Sequence, residues 1–184
     1  MVERLINRIK NHDRQAMAEL YQRFVGLLTS VCYRYVSSDE DAKDVLQNSF
    51  IKIFTAISTF RYQSDKAFQS WMIRVVSNEA LDFLKNRRRI TFVDLNDTIQ
   101  EQTTEEPSID RLSADELHQL ITGLPDGYRM VFNMFVLDGY SHKEIGNLLG
   151  IKESSSASQY YHAKQLLAER INKLMKEKYG KKMG

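Results

Sequence analysis

The stretch "GYSHKEIGNLLGIKESSSASQYYHAK", Gly139 to Lys164, decides the fold. Ser141 stands three residues before Glu144, the spacing of a capping box. The serine oxygen takes the third backbone N–H and the acid reaches back to the cap amide. Ile145, Leu148 and Leu149 give the helix that follows an apolar face. Gly146 is small where a second helix would cross closely. Gly150 suits the left-handed residue that ends a helix, and Ile151 then anchors the turn. Serines 154–156 offer a cap for a second helix running through Leu166 and Leu167. The pattern predicts a helix-turn-helix. The alternative is a helical hairpin that buries both faces and binds nothing.

Working outward, the same start signal recurs at Ser38 with Asp41 and at Ser113 with Glu116. Behind Ser38, "DEDAKDVLQNSFIKIFTAI" spaces Val45, Leu46, Phe50, Ile53, Phe54 and Ile57 as a helix core face. Glu40, Lys43, Asp44, Gln47 and Lys52 fall opposite. A preceding helix in "DRQAMAELYQRFVGLLTSVCYRYV" turns Leu20, Phe24, Leu27, Leu28 and Val31 inward. A long helix from about Lys66 to Arg88 contributes Phe68, Trp71, Val75 and Leu81. Three such helices enclose a core.

Composition then shifts. Residues 90–112 carry six acidic residues and one basic residue, with Pro107 and no apolar period, which reads as a linker. The expected organisation is all-α: a helical domain over 1–89, an acidic linker over 90–112 and a smaller helical domain over 113–184. The tail "KLMKEKYGKKMG" holds five lysines and one glutamate and is expected to fray.

The chain has 184 residues, 42% hydrophobic and 27% charged, with a formal net charge of +2. A basic surface must therefore come from uneven distribution. The single cysteine, Cys32, excludes an internal disulfide framework and fits a reducing compartment. No run reaches the roughly 18 apolar residues of a membrane span, and "MVERLINRIK" lacks a signal-peptide core. A cytoplasmic protein without membrane insertion is expected. His12, His118, His142 and His162 show no metal-ligand spacing, and there is neither a phosphate-cradling glycine loop nor a nucleophile elbow. No enzyme, metal or cofactor is expected.

A second constellation lies at residues 59–89, "TFRYQSDKAFQSWMIRVVSNEALDFLKNRRR". Phe60, Tyr62 and Phe68 interleave with Arg61 and Lys66. Aromatic faces stack on unpaired bases while cations follow phosphates. Lys85 and Arg87–Arg89 end the helix; they also suit its C-terminal dipole, which is a purely structural explanation. A third constellation, Asp39, Glu40, Asp41 and Asp44, reads as dipole complement or as a protein-binding face.

Taken in order, "DAKDVLQNSFIKIF" (41–54), "FQSWMIRVVSNEALDFLKNRRR" (68–89) and "LPDGYRMVFNMFVLDGYSHKEIGNLLGIKESSSASQYYHAKQLL" (124–167) resemble extracytoplasmic-function sigma factors of the sigma-70 family. The resemblance implies a region 2 helical bundle and a region 4 helix-turn-helix joined by a linker. It implies binding to core RNA polymerase and promoter DNA, promoter melting, and regulation by an anti-sigma factor or another protein. On the family pattern, Asp41, Asp44, Val45, Gln47 and Phe50 fall on the polymerase-binding helix. Phe60, Arg61, Tyr62, Lys66, Arg74, Asn78, Arg87, Arg88 and Arg89 fall on the minus-ten surface. Ser154, Ser155, Ser156, Ser158, Gln159, Tyr161, His162 and Lys164 fall on the helix that meets the minus-thirty-five element.

The sequence departs from the family where Ala157 and His162 stand at positions that commonly hold Lys or Arg. Region 4 is therefore expected to bind weakly alone and to rely on tethering through polymerase. Two other readings stay open. One is a helix-turn-helix regulator that needs no polymerase, against which the aromatic loop argues. The other is an inert protein that binds a partner through its acidic helix face.

Overall fold

A computed structural model of the chain describes residues 1–36, 38–86 and 112–179, with Tyr179 described by its backbone alone. The predicted acidic linker up to residue 111, Arg87–Arg89 and the last five residues of the lysine tail lie outside the described residues. The chain divides into two compact units, Met1–Arg89 and Ile90–Gly184. Every regular element among the described residues is helical.

The first unit holds α1 (Val2–Lys10), α2 (Arg14–Tyr33), α3 (Asp39–Ala56) and α4 (Asp65–Asn86). The last three pack pairwise, and α1 lies on α2. Leu20, Leu28, Val31, Val45, Ile53, Phe68, Met72 and Val76 are fully buried between them. Ser38 caps α3 as expected, accepting from Asp41 N at 3.4 Å. Asp13 caps α2 by accepting from Ala16 N at 3.1 Å. Arg8 of α1 donates to Asp13 at 2.8 Å and to Glu19 at 3.0 Å, which ties α1 to the start of α2.

α1 was not expected from the sequence. Its signal is short but regular: Val2, Leu5, Ile6 and Ile9 follow i, i+3, i+4, i+7, and all four are buried. Leu27, expected inward, is only half-buried.

The second unit holds α5 (Ala114–Thr122), α6 (Asp126–Phe132), a π-helical turn over Asn133–Leu137, α7 (His142–Leu149) and α8 (Glu153–Tyr179). Capping boxes form at both predicted places, Ser113 with Glu116 and Ser141 with Glu144. Gly150 ends α7 in the left-handed conformation at φ 71°. Ile151 N returns to Gly146 O at 3.0 Å. Gly146 is required sterically, because a Cβ there would lie 2.8 Å from the Ile151 carbonyl oxygen. α8 packs on both α6 and α7. Leu124, Ala163 and Leu167 form a core joined by Leu120, Ile121, Tyr128, Phe132 and Leu166. Lys178 near the end of α8 pairs with Glu116 of α5.

Two boundaries differ from expectation. α8 starts at Glu153 and runs 27 residues, so the three serines lie inside its first turns and do not cap it from ahead. The π-helical turn has no sequence signal of its own. It leaves Val136 and Leu137 at 46% and 42% exposure beside Gly139, whose φ is 74°.

Candidate nucleic-acid and polymerase interfaces

The loop between α3 and α4 is held at both ends. At its start, Thr59 N and Phe60 N continue the turn of α3 by bonding Ala56 O at 3.1 Å and Ile57 O at 3.2 Å. The Phe60 ring closes against Phe68 at 5.2 Å and Trp71 at 4.8 Å, with Phe68 and Trp71 themselves 5.5 Å apart. At its end, Ser64 accepts from Ala67 N at 3.1 Å. Tyr62 donates its hydroxyl to Asp65 Oδ1 at 2.7 Å. That hydrogen bond holds the phenol proton above the usual tyrosine range.

Arg61, Gln63 and Lys66 are left exposed, with Tyr62 half-buried. The apex thus offers cations and one aromatic ring to an incoming strand. Phe60 is half-buried, and the packing of its ring on Phe68 and Trp71 braces the loop.

Along α4, Arg74 and Asn78 are half-buried one turn apart, and Lys85 is exposed two turns further on. They continue the line from the loop. Their expected extension, Arg87–Arg89, lies outside the described residues. Glu79 of the same helix pairs with Lys52 of α3.

On α3 the polymerase-binding expectation divides. Asp44 and Gln47 are exposed. Asp41 and Phe50 are 5% exposed and Val45 is fully buried, so these three shape the helix and its packing and do not offer a docking surface as they stand. The structure adds residues that sequence reasoning did not name. Ile51 is 57% exposed and Tyr21 of α2 is 46% exposed. Tyr21 packs its ring on Phe50 at 4.7 Å, and Phe50 in turn reaches Phe54 at 6.0 Å. The signal for Ile51 was available: it is an isoleucine one step outside the apolar period of α3.

The first turns of α8 are more closed than predicted. Ser154 and Lys164 are exposed and Tyr161 and His162 half-buried. Ser155, Ser156, Ser158 and Gln159 are buried, at 5%, 0%, 3% and 2% exposure. Ser156 meets His142 Nδ1 of α7 at 3.0 Å, which makes it a strut between the two helices. The His142 ring stacks on Phe135 at 4.3 Å with 4° between planes, and Phe135 packs on Tyr160 at 4.6 Å. Burial holds the His142 pKa below its ordinary value. Among the described residues neither amide atom of Gln159 finds a hydrogen-bond partner. His162 stacks against Tyr128 at 5.8 Å, so replacing it by arginine also removes a packing contact. Lys164 lies over the Tyr160 ring at 5.0 Å, and Gln165 donates to the Tyr161 hydroxyl at 3.1 Å.

Among the described residues no group of His, Cys, Asp and Glu is placed to hold a metal ion. No described helix is long and apolar enough to cross a membrane.

Two family models match the chain, Sigma-70 region 2 over residues 20–90 and Sigma-70, region 4 over residues 114–167. The chain belongs to the sigma-70 family, as one of its extracytoplasmic-function members. It is 28% identical to the ECF RNA polymerase sigma-E factor of Escherichia coli (strain K12) over 184 residues, 94% of this chain and 95% of that protein. It is 23% identical to the ECF RNA polymerase sigma factor SigW of Bacillus subtilis (strain 168), covering 95% of this chain and 98% of that one. Among solved structures it resembles CnrH in complex with the cytosolic domain of CnrY. The TM-score is 0.51 at 20% identity, over 91% of this chain and 95% of CnrH, a likeness of fold.

Proposed function

We propose that the chain is an alternative sigma factor that docks on core RNA polymerase, brings it to promoters and stabilises the melted minus-ten region. The observation that carries this reading is the braced loop ahead of α4. A regulator that reads duplex DNA alone has no use for a preformed aromatic and basic apex. A protein that holds an unpaired base does, because a captured base opposes reannealing. Residues 1–89 serve as the polymerase and minus-ten domain, with Arg61, Tyr62 and Lys66 at the loop and Arg74, Asn78 and Lys85 along α4. Asp44, Gln47, Ile51 and Tyr21 make the polymerase-facing surface, an exposed apolar pair rimmed by polar groups.

Residues 113–184 act as the minus-thirty-five domain. Its exposed α8 residues, Ser154 and Lys164, give register on the duplex, and tethering through polymerase supplies most of the effective affinity. The polymerase performs the chemistry and this chain none. The setting is the cytoplasm, with an anti-sigma factor or another protein as regulatory partner.

The test is run-off transcription with purified core polymerase on duplexes selected from a randomised pool by the reconstituted holoenzyme. RNA that starts at one position, only when this chain is added, is the expected result. Selection of sites by the chain alone, with no effect on core polymerase, would favour the regulator reading.

A further inference from the structure

We propose that α1 is a support for the loop between α3 and α4, with Lys10 as the positioning residue that fixes the loop's starting carbonyl for base capture. This rests on the base-capture reading given above and adds an element to it. α1 precedes the residues matched by the region 2 family. Its apolar face is spent on α2 through Val2, Leu5, Ile6 and Ile9. Its last residue reaches fifty positions along the chain: Lys10 Nζ donates to the Phe60 carbonyl at 2.8 Å.

Phe60 is where the loop leaves α3, and its ring is pinned by Phe68 and Trp71. The ammonium therefore fixes the backbone of a residue whose side chain is already fixed. α1 itself is held by Arg8, bonded to Asp13 and Glu19. Three residues lie between Phe60 and the Ser64 cap, Arg61, Tyr62 and Gln63, and Tyr62 is itself tied to Asp65 by its hydroxyl. A loop held in this way enters the melted strand with little ordering left to do, so the support acts on the opening step.

The experiment uses the full chain with core polymerase on a selected promoter fragment carrying 2-aminopurine in its minus-ten element. Closed-complex affinity and the rate of fluorescence rise are measured separately for Lys10→Met, Lys10→Arg and Tyr62→Ala. Lys10→Met is expected to slow opening about fivefold, the scale of one net hydrogen bond, with closed-complex affinity, its salt slope and the melting temperature unchanged. Lys10→Arg, which still reaches a carbonyl with a cationic donor, restores the rate. Lys10→Leu replaces Lys10→Met if the latter does not fold.

Three results would overturn the proposal. The first is an unchanged opening rate in the neutral Lys10 variant while Tyr62→Ala slows opening. The second is loss of closed-complex affinity with a salt slope shallower by about 0.9, the mark of a phosphate contact. The third is an unaffected opening rate in Tyr62→Ala, which would remove the base-capture reading itself.

Discussion

The two regions proposed to face DNA treat their polar side chains in opposite ways. The loop ahead of α4 packs its half-buried aromatic anchor, Phe60, on Phe68 and Trp71 and leaves Arg61, Gln63 and Lys66 outside. The start of α8 takes Ser155, Ser156, Ser158 and Gln159 inward and leaves Ser154 and Lys164 outside. The first region is a rigid frame with a charged apex. The second has spent much of its polar inventory on its own interior, including the Ser156–His142 strut. The contrast suits a division of labour in which the first unit holds melted DNA and the second sets register.

The largest effect that can break this comparison comes from removing the frame. Phe68 is fully buried and touches Phe24, Phe60 and Trp71. Phe68→Ala is expected to cost the first unit about 3–5 kcal/mol. Trp71 is the only tryptophan, so its fluorescence follows this unit. Amide exchange in α7 and α8 is expected to stay unchanged. Equal loss of protection there would show that the two units do not behave separately.

A smaller effect sharpens the second half. Gln159 is 2% exposed and its amide is unpartnered among the described residues. A buried polar group without a partner costs about 1–3 kcal/mol. Gln159→Met is therefore expected to raise the thermal midpoint of the second unit. A lowered midpoint would mean that the amide is satisfied in solution.

The smallest effect is set by pH. Burial lowers the His142 pKa from 6.5 in the folded chain, with Glu153 opposing more weakly. The unfolded state therefore binds the proton more readily. Stability from the neutral imidazole is fully present above the unfolded value and is lost as pH falls below it. The midpoint of the second unit is expected to drop between pH 7.5 and pH 5.5, and less so in His142→Phe. Identical pH profiles for the two proteins would remove the strut from the account.

Much of this was legible in the sequence. Both capping boxes, the left-handed Gly150 and the crowding at Gly146 stand where local spacing put them, because caps and turns depend on a few neighbouring residues. The inward turn of the serines was not legible. Ser, Gln and His suit a core or a surface equally until α7 supplies the partner, as His142 does for Ser156. The bracing of Phe60 was not legible for the same reason, since only the fold brings Phe68 and Trp71 to it. α1 was missed although its four apolar residues keep helical period, because nine residues give a weak signal.

The most direct test of the division of labour measures thymine reactivity to permanganate in the minus-ten element of holoenzyme–promoter complexes. One variant pairs Arg61→Ala with Tyr62→Ala, the other Ser154→Ala with Lys164→Ala. The account predicts that the first loses opening by about tenfold or more, on the scale of one stacked base, at every holoenzyme concentration. The second should recover full opening as concentration rises. Opening that survives the first variant, or that fails irrecoverably in the second, would contradict it.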